Sequence, residues 1–230
     1  GVSGGSASWA AKGAELFDRQ DLRWVGTAGK EGTIPNTVSH AFKDSGIYIM
    51  RSDWSPDALY LLLDAGPYSA AHQHEDKLSF ELCYGPDPLI VDPGIASYMA
   101  EPWTDYYKHT RSHNTVLING GGQIRRHTQS WGQWVRSVRD ENAVQMGAGL
   151  DYVISRYEGG YEGTEGTIAH ERALIFVRND YFLVLDRVTG QGTHTIEALF
   201  HFMPYRVHID AGRVRTNREG KKNVELAPLN

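Results

Sequence analysis

ALIFVRNDYFLVLD, residues 173–186, decides the fold. Two runs of branched and aromatic side chains flank Asn179-Asp180, a polar pair suited to a tight reversal. Such side chains favour a pleated, half-buried surface, so the stretch predicts a β-hairpin. The same grammar recurs outward from it. GIYIM (46–50), ALYLLL (58–63), LSFELCY (78–84), LIVD (89–92), TVLIN (115–119) and QWVRSV (133–138) read as strands. So do YVISRY (152–157), TIAHERALIFV (167–177), YFLVLDRV (181–188) and HTIEALFHFM (194–203). Turn formers such as SPD, GPDP, INGGG, RND and TGQG separate them. Strands at this density, with no helices between them, predict an all-β antiparallel β-sandwich.

Upstream the pattern differs. SWAAKGAELFDRQDLRWVG (8–26) has helical spacing, with Trp9, Ala10, Leu16 and Phe17 on one stripe and Ser6 or Ser8 as a cap. TAGKEGTIPNTVSH (27–40) reads as a linker. The expected organisation is an N-terminal helix and linker over 1–30 and a sandwich domain over 31–230.

Composition narrows the function classes. A net charge of −5 over 230 residues argues against nonspecific binding to nucleic acid or an anionic membrane. Arg111, Arg125, Arg126 and Arg136 are candidates for a local polyanion groove, against the plainer reading of scattered solvated arginines. The single cysteine, Cys83, sits in an apolar run and is expected to be a buried, reduced thiol with no disulfide framework. No apolar stretch is long enough to span a membrane as a helix and no signal peptide is visible.

The chemistry concentrates in AAHQHEDKLSF (70–80). In an extended chain His72 and His74 point to the same side. Asp92 follows in LIVDPG and His113 in RSHNTVLIN. Two histidines and a carboxylate are a common zinc set, although polar residues at strand ends are the plainer reading of HxH alone. A straight hairpin about GPDP would leave His74 roughly 20 Å from Asp92 at about 3.3 Å per residue. The two can share an ion only if EDKL (75–78) curls back. A cupin reading lacks a glutamate at the required spacing, since Glu75 comes too early and Glu81 too late.

Taken together, HQHEDKLSFEL, LIVDPG, RSHNTV and the paired late strands resemble the heparinase II/III family, over roughly residues 44–203. The resemblance implies a supersandwich-type β-sandwich that accompanies an α/α toroid in the same polypeptide. The helix at the start would be the toroid's last helix or the connection to it. It implies a polysaccharide lyase acting on an anionic uronate polymer, periplasmic or secreted, with a homodimer as one possible assembly. By the same resemblance His74, Asp92 and His113 bind Zn2+ and order the cleft. His72 and Tyr98 face the substrate as catalytic residues, and Arg111 and Asn114 support the ligands or touch the polymer.

A uronate lyase takes the C5 proton and expels the C4 oxygen, so cationic or hydrogen-bonding groups must steady charge on the neighbouring carboxylate. His72 and Tyr98 are chemically suited to that work. The family's remaining catalytic groups belong to the toroid, so the isolated chain is expected to bind metal but turn over little substrate. A noncatalytic carbohydrate-binding or structural sandwich, with a metal stapling its loops, is the rival from another class.

Overall fold

The computed structural model describes residues 4–67, 73–95, 102–124, 142–147, 149–178 and 180–229. The deciding stretch is a hairpin of β9 (Ala169–Val177) and β10 (Tyr181–Thr189), paired from Val177↔Tyr181 to Ala169↔Thr189. Its connection spans 178–180, one residue longer than an Asn-Asp turn, and the Asp180 N–H closes on the Val177 carbonyl at 3.0 Å. Asn179 itself lies outside the described residues. Strand period two sends His170, Arg172, Leu174 and Phe176 inward together. The two polar members of that row matter below.

β8 (Leu150–Tyr157) and β7 (Ala143–Gln145) extend this hairpin into a four-stranded antiparallel sheet, ordered β10-β9-β8-β7. The opposing sheet is a meander of β1 (His40–Phe42), β2 (Ile47–Arg51), β3 (Leu59–Asp64), β4 (Ser79–Tyr84) and β5 (Asp87–Ile90). Tyr48, Met50, Leu61, Leu63, Phe80 and Leu82 from the meander share one buried cluster with Val153, Tyr157, Leu174 and Phe176. Burying a Leu or Phe side chain is worth about 1.5–3 kcal/mol, so this sandwich core is the main source of stability. β6 (Val116–Ile118) pairs with β11 (Ile196–Ala198), and Val116 and Ile118 join the same core.

Several elements depart from the sequence reading. The N-terminal stretch is two helices, α1 (Gly4–Phe17) and α2 (Gln20–Gly26), broken at Asp18 with φ +48°. Trp9, Leu16 and Phe17, the expected stripe, are exposed. Of the run 194–203 only 196–198 pairs as a strand, while the expected strand at 133–138 lies outside the described residues. β12 (Arg206–Asp210), β13 (Arg213–Asn217) and β14 (Glu225–Leu226) form a further sheet that the sequence reading passed over. Ala211 and Gly212 join β12 to β13 with φ of +46° and +76°, the two positive values of a type I′ turn. α3 (Pro102–Lys108) was also unforeseen. Cys83 is a free thiol, half-buried rather than buried. Among the described residues no helix is long and apolar enough to cross a membrane.

Candidate metal centre

The chain does curl at EDKL. The Ser79 N–H bonds the Asp76 carbonyl at 2.8 Å, and Leu78 takes φ +71° at the crown of the turn. A left-handed leucine is uncommon and costs about 1–2 kcal/mol, so its surroundings must hold it. They do so from several sides. The Glu75 N–H reaches the Lys108 carbonyl at 2.8 Å, and the Thr110 hydroxyl donates to the Glu75 carbonyl at 2.6 Å. The Gln123 amide brackets Lys77, accepting from its N–H at 3.1 Å and donating to its carbonyl at 2.9 Å. Leu78 donates to the Asp64 carbonyl at 2.7 Å and is itself fully buried.

This turn sets His74 and Asp76 beside His113, which follows the 3-10 turn Thr110–Ser112. One ligand atom from each of the three lies within 4.8 Å of the others. Among the described residues, this is the one group of His, Cys, Asp or Glu side chains that converges closely enough to share an ion. The His74 and His113 rings are 5.3 Å apart, centre to centre. Asp92 stands behind His113, with its Oδ2 2.6 Å from His113 Nδ1 and 3.1 Å from the Ser79 hydroxyl that donates to it. A carboxylate on one ring nitrogen fixes the imidazole and leaves the other nitrogen for a metal. His113 Nε2 is buried and has no hydrogen-bond partner among the described residues.

The two histidines differ electrically. Burial, then the neighbouring His113, pushes His74 down to about 4, so it is neutral near pH 7 with a lone pair to offer. Burial also opposes charge on His113, but the hydrogen bond and charge of Asp92, helped by Asp76, hold its pKa above the usual value. Asp92 is lowered in turn: burial alone would raise it, but the His113 bond and charge prevail. Both shifts run in the direction that favours an ion pair between His113 and Asp92.

Asn114 locks the frame. Its Nδ2 donates to the carbonyls of Phe80 at 2.8 Å and Val91 at 3.0 Å, and its Oδ1 accepts the His201 N–H at 2.6 Å. The Asn114 N–H donates to the Ser79 hydroxyl at 3.0 Å. Asn114 is fully buried, so it supports the site from behind. The Arg111 guanidinium donates to the Gly120 carbonyl at 3.0 Å. His72 and Tyr98 lie outside the described residues.

Sequence reasoning passed over two members. Asp76 was read only as part of the turn, although it continues the every-second-residue series His72, His74, Asp76. His201 lies across Asn114, its Nδ1 3.2 Å from Asn114 Oδ1, and feels the charges of both His113 and Asp92. Nothing local in LFHF marks it. His170 is buried against Asp186 at 2.7 Å. His109 pairs with Glu162 at 3.0 Å.

Comparison with known proteins gives this arrangement a context. A heparin-sulfate lyase of Pedobacter heparinus is 28% identical over 192 residues, covering 81% of this chain and 26% of that protein. One from Bacteroides stercoris is 28% identical over 213 residues, covering 90% of this chain and 28% of its own length. The chain thus spans little more than a quarter of the curated relatives it matches. The crystal structure of heparan sulfate lyase HepC from Pedobacter heparinus superposes with a TM-score of 0.83 at 23% identity, over 98% of this chain and 34% of that one. A heparinase III structure gives 0.74 at 20% identity, over 93% and 33%. Residues 34–226 match the family described as Heparinase II/III-like, C-terminal, and the chain belongs to that family.

Proposed function

We propose that this chain is the β-sandwich portion of a polysaccharide lyase that cleaves a uronate-containing polymer by β-elimination. We further infer that it holds a zinc ion with His74, Asp76 and His113, while Asp92 orients His113. The observation that carries the metal reading is the buried, unpartnered Nε2 of His113, a residue that converges with a neutral histidine and an aspartate. Nitrogen and carboxylate donors of this kind suit zinc at about 2.0–2.2 Å. When bound, the ion supplies a fixed positive charge that ties the turn at 75–78 to the segment around His113.

The chain's own residues do the remaining work. Asn114 and Ser79 hold the backbone of three segments in register, and Asp92 keeps the His113 ring from rotating. His72 and Tyr98 are proposed for the cleft, where the C5 proton leaves and charge on the uronate carboxylate needs a partner. Kinship with heparin-sulfate lyases supports the substrate class, and a periplasmic or secreted location is proposed to match it. The catalytic groups of the other wall are proposed to come from a helical domain in the same polypeptide. The 230-residue chain alone should therefore show little turnover.

Two measurements test this reading. Ultraviolet absorbance of the unsaturated uronate product, followed on a panel of uronate polymers with the intact polypeptide, should rise on at least one. Absence of product on every polymer would overturn the lyase assignment, and strong turnover by a verified 230-residue chain would overturn the divided cleft. Metal analysis should find zinc in the wild type and lose it in His74→Ala, Asp76→Ala and His113→Ala; unchanged content would refute the ligand set.

A further inference from the structure

Arg172 is fully buried in β9, on the inward row with Leu174 and Phe176. Its Nε and one terminal nitrogen grip Asp186 of β10 at 2.7 and 2.9 Å, a fork-to-fork pair. The other terminal nitrogen leaves its own sheet. It donates to the Leu78 carbonyl at 2.7 Å and to the Asn114 carbonyl. The guanidinium also lies over the Phe80 ring, 5.6 Å from its centre.

Those two carbonyls have particular neighbours. Leu78 is the left-handed residue that closes the turn behind Asp76, and Asn114 directly follows His113. One nitrogen thus ties together the two backbone segments that carry all three converging side chains. Asp186 aims the guanidinium, and His170 Nε2 completes that carboxylate at 2.7 Å. A buried ion pair can serve the fold alone. The same sheet supplies the comparison: Arg178 pairs with buried Asp151 at 2.8 Å, but its remaining bonds go to the Gly147 carbonyl and the Ser39 hydroxyl. It touches neither ligand segment and lies six residues further along the chain, roughly 20 Å at about 3.3 Å per residue.

We propose that Arg172 is a positioning residue for the candidate metal centre, setting the spacing between the His74–Asp76 turn and His113 from the opposite sheet. The proposal rests on the metal reading above, and its test separates the two. Arg172→Lys keeps the charge but loses the planar fork, while Arg178→Lys makes the same change at the control pair. In case Arg172→Lys does not fold, Arg172→Met with Asp186→Leu exchanges the pair for apolar side chains, a swap that buried ion pairs often tolerate.

Each variant of the full chain is measured in two ways. Without metal, amide hydrogen exchange is followed at Leu78, Ser79 and Asn114. With Co2+, affinity is read from visible absorption. The Arg172 variants should speed exchange at those amides by about tenfold relative to Arg178→Lys. They should weaken Co2+ binding by about 10–100-fold, as loss of an outer partner does. Arg178→Lys should leave Co2+ affinity within about twofold, as expected of a distant site. Equal exchange in the Arg172 and Arg178 variants overturns the proposal, and so does unchanged Co2+ affinity in the Arg172 variants. If the wild type binds no Co2+, the metal reading falls, and the exchange comparison alone decides whether Arg172 sets the two segments.

Discussion

Asn114→Ala is the sharpest test of how the frame behind the candidate metal centre is built. The wild-type amide satisfies three backbone groups at once: the carbonyls of Phe80 and Val91 and the N–H of His201. The side chain is fully buried, so truncation exposes none of these groups directly to solvent. An orphaned buried donor or acceptor costs about 1–3 kcal/mol, which for three groups gives about 3–9 kcal/mol. A water entering the vacated space can restore some of the bonds, so the lower half of that range, about 3–6 kcal/mol, is the expectation. That is a large fraction of the roughly 5–15 kcal/mol that holds a domain folded. The isosteric Asn114→Asp sharpens the sign. It keeps an acceptor for His201 but presents a carboxylate to two carbonyls, so at neutral pH it should be at least as damaging as alanine. Its stability relative to alanine should recover in acid, where a protonated carboxyl can donate again. Urea unfolding of all three proteins, with slopes compared as well as midpoints, reads the difference. A cost below about 1 kcal/mol for Asn114→Ala, or an Asn114→Asp protein as stable as wild type, would refute the reasoning.

Three further outcomes follow from particular groups. Zinc binding should release more protons at pH 6 than at pH 8, because Asp92 holds the His113 pKa above its usual value whereas His74, near 4, is already neutral; calorimetry in buffers of differing ionisation enthalpy measures it, and release that does not rise with acidity contradicts the coupling of His113 to Asp92. His170 has its pKa lowered, by burial first, so the unfolded chain takes up its proton at a higher pH than the folded one. Its contribution is therefore present above about pH 6.5 and is lost as pH falls towards the folded value, and Asp186, also lowered, adds a loss of the same sign at lower pH. Thermal midpoints from pH 8 to 5 should fall, and less steeply in His170→Asn; identical slopes would remove His170 from the account. Ala211→Gly should raise stability by about 0.5 kcal/mol, since relief of a left-handed alanine outweighs the extra entropy of glycine; a lower melting temperature would argue against the type I′ turn.

How legible all this was depends on whether the information is local. β9 and β10 could be read because alternation and a polar turn lie within one short window. The same alternation carried a hint not taken up: His170 and Arg172 keep step with Leu174 and Phe176, which places both inside. The bend at 75–78 was required by geometry, yet nothing about a leucine announces φ +71°; Gln123, Thr110 and Arg172 impose it from distant positions. For that reason the approach of Asp76 to His74 and His113 was not legible in the turn. The β12–β13 hairpin escaped because its turn uses Ala211 where glycine or asparagine is the usual signal. His201 meets the site at the side chain of Asn114, a relation between residues 87 apart in sequence.

The segment leading into β6 shows why fold and site are hard to separate here. Thr110, Ser112, His113, Asn114 and Thr115 are all fully buried, an unusual run of polar side chains. They sit outside the named strands, where turn bonds serve part of the buried backbone and side chains serve more of it. Thr110 serves Glu75 and Gln123, Thr115 serves Lys77, Ser112 serves Tyr107 and His109, and Asn114 serves three segments. What this lattice leaves unserved is one atom, His113 Nε2, at the point where the His74–Asp76 turn arrives. A lattice that pairs almost every group around it and spares that nitrogen fits an imidazole reserved for a cation. A cation bound there would add its binding energy to the same bonds that hold the two sheets together, so metal affinity and folding stability should rise and fall together across variants of this segment.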